Sequence, residues 1–405
     1  MRKNLYQILE WYLQKTLIKL LKKHFCLILK SMKNTRQTNI NIHRDAWVEI
    51  NISNLEHNIK EIKKLVPQDI KLLGVVKADS YGHGSIMLAP TILASGIDML
   101  GVASIDEGAD LRQAGLNCEI LVLGAVPVWA VESAVKYDLS ISIFSKEHIK
   151  ACEQAYKRTG KRPKVHIKLD TGMNRIGVCV DEAIDFIKQV QQSEFINLQG
   201  IFTHLAAAEE LDKTQAQIKK WNAIIDSIET DGLLLHILNT AGTICYDVPN
   251  SNMRRVGISL YGLYPDFPEK DFTKPNLKQL ISLKGRIVNI HTAKDGEGVS
   301  YCHTYTATGN RTIATVPIGY ADGVPRLLSN KIKGIINGIE VPQVGNITMD
   351  QMMFDITGID ANVGDIITLL DEQHSIDEWA KILNTINYEL TCRLKVRLPR
   401  VYTRK

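Results

Sequence analysis

The chain has 405 residues, 45% hydrophobic and 23% charged, with a formal net charge of +5, the profile of an ordinary globular protein long enough for two domains. The positive excess sits in residues 1–42, where nine Lys and Arg face the single acid Glu10, a balance of about +8 that leaves the rest of the chain at about −3. A body so close to neutral shows no field suited to a nucleic-acid surface; seven scattered cysteines, with no CxxC spacing and no neighbouring His that makes a metal pattern, argue against a thiolate metal site and fit reduced thiols in a cytoplasm.

The first segment, residues 1–42, is apolar but interrupted by Lys15, Lys19, Lys22, Lys23 and Lys30. Its uncharged stretches fall short of the roughly 18 residues a membrane span needs, and no small-residue cleavage site follows an apolar core. The pattern suits a basic amphipathic helix in peripheral contact with an anionic membrane. Packing on the protein's own body, or no role at all, are the alternatives.

From Asp45 onward short apolar runs alternate with amphipathic stretches. The runs are Leu72–Lys77, Met99–Ala103, Ile120–Gly124, Ser140–Phe144, Val165–Leu169, Leu198–Phe202, Leu234–Leu238 and Gly257–Leu260. Between them lie helical patterns such as Leu55–Leu65, Glu107–Ala114, Glu147–Arg158, Glu182–Gln192 and Thr214–Ile228. Eight strands with crossovers predict an α/β fold, a (β/α)8 TIM-type barrel over residues 43–280, with an open doubly wound sheet as competitor. After Gln279 the runs Ile281–Thr292, Thr312–Gly319, Ile332–Ile336 and Asp365–Leu370 read as strands. Turns at Asp295-Gly296, Asp322-Gly323 and Asn337-Gly338 and one helix near Ser375–Leu383 accompany them, predicting a second, mainly β domain over 281–405.

Lys77 ends the first barrel strand, where barrel active sites form. A lysine there can form a Schiff base with an aldehyde cofactor; by position alone it reads as a solvated strand-end lysine. In the fifth strand His166, Lys168 and Asp170 share one parity and point into the barrel if helices cover its outside. A buried ammonium is costly unless paired or chemically altered, and Arg175 follows near the same barrel mouth. Barrels most often bind phosphate at strands seven and eight. There Asn239-Thr240-Ala241-Gly242 offers a hydroxyl and N–H groups near a helix start, and Arg254-Arg255-Val256 precedes the eighth run. His204, after the sixth strand, reads on its own as structural, and Tyr301 as packing.

The strings around these residues resemble those of alanine racemases. VVKADSYGHG (75–84) is similar to that family's VVKAxAYGHG, KLDTGMNRIG (168–177) to KxDTGMxRxG, Thr203-His204 to THxA, VSYCHTY (299–305) to VSYGxTY and GNITMDQ (345–351) to GRxxMDQ. PIGYADG (317–323) is another family string, and the resemblance runs from His43 to Tyr402. It implies pyridoxal 5′-phosphate on Lys77, with Tyr81, His204, Thr240, Gly257, Ile258 and Tyr388 around the cofactor and Arg255 facing its pyridine nitrogen. It implies that Lys168 is carbamylated and holds Arg175, which with Met349 contacts the substrate, while Tyr320 and Asp350 line the entrance. Tyr301 would be the second catalytic base, reaching the cofactor of the partner subunit in an obligatory homodimer. The implied activity is interconversion of L- and D-alanine, supplying D-alanine for peptidoglycan, with no metal. Tyr388 favours alanine; Asn346 for the usual Arg and the unusual Leu390–Arg397 stretch leave a serine or broader racemase as the alternative. A non-enzymatic cofactor-binding protein is opposed by the VSY segment. Ser80 for Ala and Cys302 for Gly are the other departures.

Overall fold

The computed structural model describes residues 43–405, so the expected amphipathic segment of residues 1–42 lies outside the described residues. The chain opens with β1 (Ala46–Asn51), then builds β2 (Lys71–Val75), β3 (Met99–Val102), β4 (Glu119–Val122), β5 (Ser140–Ile143) and β6 (Lys164–Asp170). The short β7 (Val178–Cys179) flanks β6, and β8 (Asn197–Phe202), β9 (Leu234–His236) and β10 (Met253–Val256) follow. Their parallel order is β10-β2-β3-β4-β5-β6-β8-β9. The ring is completed between its ends, where Asn252 N donates to Leu235 O (3.0 Å) and Arg255 N to Leu238 O (3.1 Å). A barrel therefore forms, and the open-sheet competitor fails. Helices Ile52–Lys63, Ile105–Gln113, Lys146–Thr159, Val180–Gln191 and Leu211–Ile225 match the amphipathic stretches. Asn51, Ser104 and Ser145 cap the first three by accepting first-turn N–H groups.

The eighth strand departs from expectation. It is Met253–Val256, and the run assigned to it forms a tight turn, Ile258–Tyr261. Two adjacent arginines conceal the strand from any apolar pattern. Arg254 bonds Asp247 at 2.8 Å, while Arg255 is buried inside.

The second sheet comprises β11 (Ile281–Arg286), β12 (Asn289–Ala293), β15 (Arg311–Val316), β16 (Lys333–Ile336), β17 (Ile339–Val344), β18 (Met352–Asp355), β19 (Ile366–Leu370) and β20 (Arg400–Thr403). The hairpin β13 (Gly298–Val299) and β14 (Tyr305–Thr306) stands apart from it. β1 also belongs to this sheet, antiparallel to β11 and parallel to β20, although the expected bounds placed it with the barrel. Its alternation gives the reason: Ala46, Val48 and Ile50 are buried while Trp47 and Glu49 are half-exposed, the pattern of a strand covered on one face. Both ends of the described chain thus meet in the β domain, and that closure brings β20 against the barrel mouth. Among the described residues no helix is long and apolar enough to cross a membrane.

Candidate active site

Lys77 leaves β2 into a left-handed turn. Ala78, Asp79, Ser80 and Tyr81 all take φ of 52–54°, a region that costs non-glycine residues about 1–2 kcal/mol each. The turn persists because its surroundings over-determine it. Ser80 N donates to Val76 O (2.8 Å) and Gly84 N to Asp79 O (2.9 Å). Glu107 accepts from Ala78 N (2.8 Å) and Ala103 N (2.7 Å). From the β domain, Arg400 donates to Gly82 O and Tyr402 Oη to His83 O. Gly82 is obligatory, with φ of 82° and space for a Cβ only 2.4 Å from Thr391 O.

The lysine opens into a cavity of about 470 Å³, a size suited to a small cofactor and substrate. Burial, then the neighbouring Arg175, lowers the Lys77 pKa against a smaller opposing pull from Glu107. The shift runs toward the neutral, nucleophilic amine. Arg175 reaches the same cavity because the Asp170 carboxylate, at the end of β6, accepts N–H bonds from Gly172, Met173 and Asn174 and folds the chain back.

Deeper in the barrel lie two buried basic side chains. Lys168 is 2% exposed and stands 4.8 Å over the Phe202 ring; burial and then Arg255 and Arg175 push its pKa well down. Arg255 is 3% exposed, and burial brings it to about 9, so it stays charged at neutral pH. Its guanidinium donates to Thr203 O (2.8 Å), His236 O (2.8 Å) and Ile237 O (3.0 Å), and to His236 Nδ1 (2.9 Å) and His204 Nδ1 (3.2 Å). Arginine only donates. His236 therefore accepts at Nδ1 and donates from Nε2 to His166 Nδ1 at 2.9 Å. His236 was not singled out in the sequence; the available signal was a lone polar residue inside the apolar run Leu234–Leu238.

At the far end Thr240 Oγ1 accepts from Gly257 N (2.9 Å), with Ile258 beside it. A Cβ on Gly257 would stand 2.6 Å from Tyr81 Oη, so only glycine leaves this cradle open. Tyr388 closes it, its ring 5.9 Å from that of Tyr81. Hydroxyls and backbone amides converging there are the donor set an anionic phosphate requires.

The structure thus gathers Lys77, Tyr81, Lys168, Arg175, His204, Thr240, Arg255, Gly257, Ile258 and Tyr388 around one cavity. It does not bring Tyr301, Tyr320, Met349 or Asp350 into it. Tyr301 is 71% exposed in a turn after β13, which removes the packing reading. Tyr320 and Met349 share another surface region, where Tyr320 N donates to Thr348 O and Ala321 N to Met349 O. Arg397 bridges Asp350 and the fully buried Asp322 there. Asn346 and residues 390–397 are not among the residues of this chain that line the cavity, although Cys392 lies close enough to Lys77 to influence its pKa.

His83, His166, His204 and His236 are held neutral. Burial pushes His83 to about 4 and His166 to about 3, and burial with Arg255 keeps His204 and His236 well below 6.5. Below pH 6.5 the unfolded chain binds protons that the fold refuses. The stability present above that pH is lost as pH falls toward the folded values, by about 1.4 kcal/mol per unit for each histidine. The urea midpoint should fall steeply between about pH 6.5 and 4.5; a flat midpoint over that range would contradict the neutral assignment.

Two family models match the chain: alanine racemase, N-terminal domain, over residues 50–265, and alanine racemase, C-terminal domain, over 280–402. Among curated relatives, alanine racemase 2 of Oceanobacillus iheyensis is 39% identical over 373 residues, 90% of this chain and 94% of the relative. The alanine racemase of Methanococcus maripaludis is 38% identical, covering 89% and 99%. Among solved structures, alanine racemase of Clostridium difficile matches with a TM-score of 0.84 at 39% identity, covering 90% of this chain and 97% of that one. A structure of the same enzyme in complex with cycloserine matches at 0.82.

Proposed function

The chain belongs to the alanine racemase family and is an isomerase of L- and D-alanine; on that premise we propose that pyridoxal 5′-phosphate is its cofactor, held at Lys77, and that Tyr301 of the partner subunit completes each site of a homodimer. The observation that carries this reading is the single cavity joining a strand-end lysine, a buried arginine and a donor-lined anion cradle. The residues fit that cofactor. Lys77 would supply the amine for its aldehyde, Thr240, Gly257, Ile258, Tyr81 and Tyr388 would supply donors for its phosphate, and Arg255 would meet its ring nitrogen. When bound, the cofactor acidifies the alanine α-hydrogen by drawing the remaining electron pair into its conjugated system.

Arg175 binds the substrate carboxylate and orients the α-carbon. Inversion requires a base on each face. The Lys77 amine, its pKa lowered, carries the proton of D-alanine, and the partner's Tyr301 carries that of L-alanine. Arg255, with a pKa of about 9, keeps its own proton at neutral pH; beside the cofactor's ring nitrogen it would leave that nitrogen unprotonated, which would favour proton exchange over decarboxylation and transamination. His204 and His236 hold Arg255 in place.

Lys168 is the carbamylation candidate. Its burial beside two guanidinium groups disfavours an ammonium, and a neutral amine can form an N–C bond to carbon dioxide and release one N–H proton to solvent, leaving a carbamate anion that those cations stabilise. A protein exchanged into isotopically labelled bicarbonate should show one carbamate resonance, absent in Lys168→Ala; activity of that variant should drop at least about tenfold. A simple ion-paired lysine would give no such resonance.

The enzyme works in the cytoplasm, consistent with six unpaired cysteines among the described residues, and supplies D-alanine for peptidoglycan. Loss of optical activity from L-alanine and L-serine, followed by circular dichroism with the cofactor's visible absorbance recorded alongside, tests the assignment. Rapid loss with alanine and little with serine is expected. Faster serine turnover would move the substrate, and a coloured protein inert toward both would remove the proposed role of the site.

A further inference from the structure

Two departures from the family pattern, Cys302 and Asn346, lie 44 positions apart in the sequence, and Asn346 bonds the carbonyl of Tyr301, the residue before Cys302. The turn presenting Tyr301 holds three non-glycine residues at positive φ: Ser300 (65°), Cys302 (61°) and His303 (45°). Cys302 therefore keeps the left-handed backbone for which glycine is the unstrained residue, and something outside the turn must hold it there.

Asn346 is in the place to do so. It is 7% exposed, and its Nδ2 donates to Tyr301 O at 2.7 Å. Ser300 Oγ returns a bond to Asn346 O, also 2.7 Å. The preceding residue is fixed in turn, for Gly345 N donates to Asn330 Oδ1 (2.6 Å) and Gly345 O accepts from the buried Gln343 (2.8 Å). A Cβ on Gly345 would stand 2.6 Å from Val299 O, so the two loops pack backbone to backbone. The peptide bond between Tyr301 and Cys302 is thus gripped at its carbonyl by a side chain anchored in a rigid loop. Rotation of that peptide is what would release Cys302 from φ of 61° and swing the Tyr301 ring.

We propose that Asn346 is a positioning residue for Tyr301: its buried amide holds the Tyr301 carbonyl, compensates for the missing glycine at 302, and sets the direction in which the phenol is presented to the partner subunit. The inference rests on the reading of Tyr301 as the base that serves L-alanine. A donor is essential at this site. Leucine in place of Asn346 leaves a carbonyl unpaired, and aspartate sets an acceptor oxygen against it.

The test uses cofactor-loaded full-length enzyme and follows exchange of the α-hydrogen for solvent deuterium, starting separately from L-alanine and from D-alanine. In Asn346→Leu, exchange from L-alanine should fall about a hundredfold, the scale of a misplacement near 1 Å. Exchange from D-alanine, served by Lys77, should change less than about threefold, with KM and the cofactor absorbance retained. The double variant Asn346→Leu/Cys302→Gly should recover most of the loss, because glycine adopts the left-handed backbone without strain. If Asn346→Leu does not fold, Asn346→Asp carries the same comparison.

Equal loss from both enantiomers, no loss, or no recovery with Cys302→Gly would overturn the proposal. Tyr301→Phe run alongside separates the two levels. If it abolishes exchange from L-alanine while Asn346→Leu does not, only the positioning role falls. If it leaves that exchange intact, the assignment of the base falls, and the positioning role with it.

Discussion

Tyr301→Phe is expected to reduce racemisation of L-alanine by at least about a thousandfold while leaving the fold and the cofactor's visible absorbance unchanged. The magnitude follows from the removal of a general base, typically worth 10²–10⁴, in a reaction that has no substitute on that face of the substrate. In the proposed scheme Lys77 serves one face, and the other titratable groups of the same chain that line the cavity, Tyr81, Lys168, His204 and Tyr388, are assigned to the cofactor or to carbamylation, which leaves the second face to Tyr301 of the partner subunit. The absence of a folding defect follows from exposure. The Tyr301 ring is 71% exposed, and loss of one hydroxyl from such a surface usually changes stability by no more than about 0.5 kcal/mol. Circular dichroism of L-alanine turnover and the absorbance spectrum check both halves at once. Full activity in the phenylalanine variant would remove the two-base scheme.

Arg255→Ala carries the largest expected loss of stability. Its guanidinium satisfies the carbonyls of Thr203, His236 and Ile237 and two imidazole nitrogens inside the barrel. Truncation leaves those acceptors unpaired and opens a void among them, at a cost of roughly 3–5 kcal/mol. Arg255→Lys should recover only part of this, since one ammonium cannot reproduce a planar fork with five donors. Urea denaturation should therefore rank the proteins in the order wild type, lysine, alanine, with racemisation lost in both variants because the positive charge and its geometry at the base of the cavity are altered. The acid limb should respond as well. Arg255 is the second cause, after burial, of the low pKa of His166, His204 and His236, so its removal raises them and flattens the stability loss below pH 6.5. An alanine variant as stable as the wild type would show that the five contacts are replaced by water.

Much of the barrel was legible because its chemistry is local. Seven of the eight barrel strands announce themselves as short apolar runs followed by amphipathic helices, and buried parallel strands need that composition on both faces. Lys77, Lys168 and Arg175 could be placed at the barrel mouth or interior from strand ends and parity alone, and the motif strings named their partners. The eighth strand escaped because its two arginines face opposite environments, one an exposed aspartate and the other a cage of carbonyls. No one-dimensional hydropathy pattern separates those cases. β1 escaped for a different reason: sequence adjacency placed it with the barrel, whereas its partners are β11 and β20, far along the chain.

By itself, then, the sequence determined the fold class and the family and named candidates for the reactive residues, since each depends on residue type and on spacings of a few positions. The tertiary structure decided three things that depend on contacts between distant segments. It decided that Tyr301, Tyr320, Met349 and Asp350 stand outside the cavity that holds Lys77. It decided that the left-handed turn after Lys77 is held by Arg400 and Tyr402 from the other end of the chain. It decided that Asn346 binds the carbonyl beside Cys302. Backbone strain and buried hydrogen bonds are settled by which surfaces close on one another, and that closure exists only once the two sheets have packed.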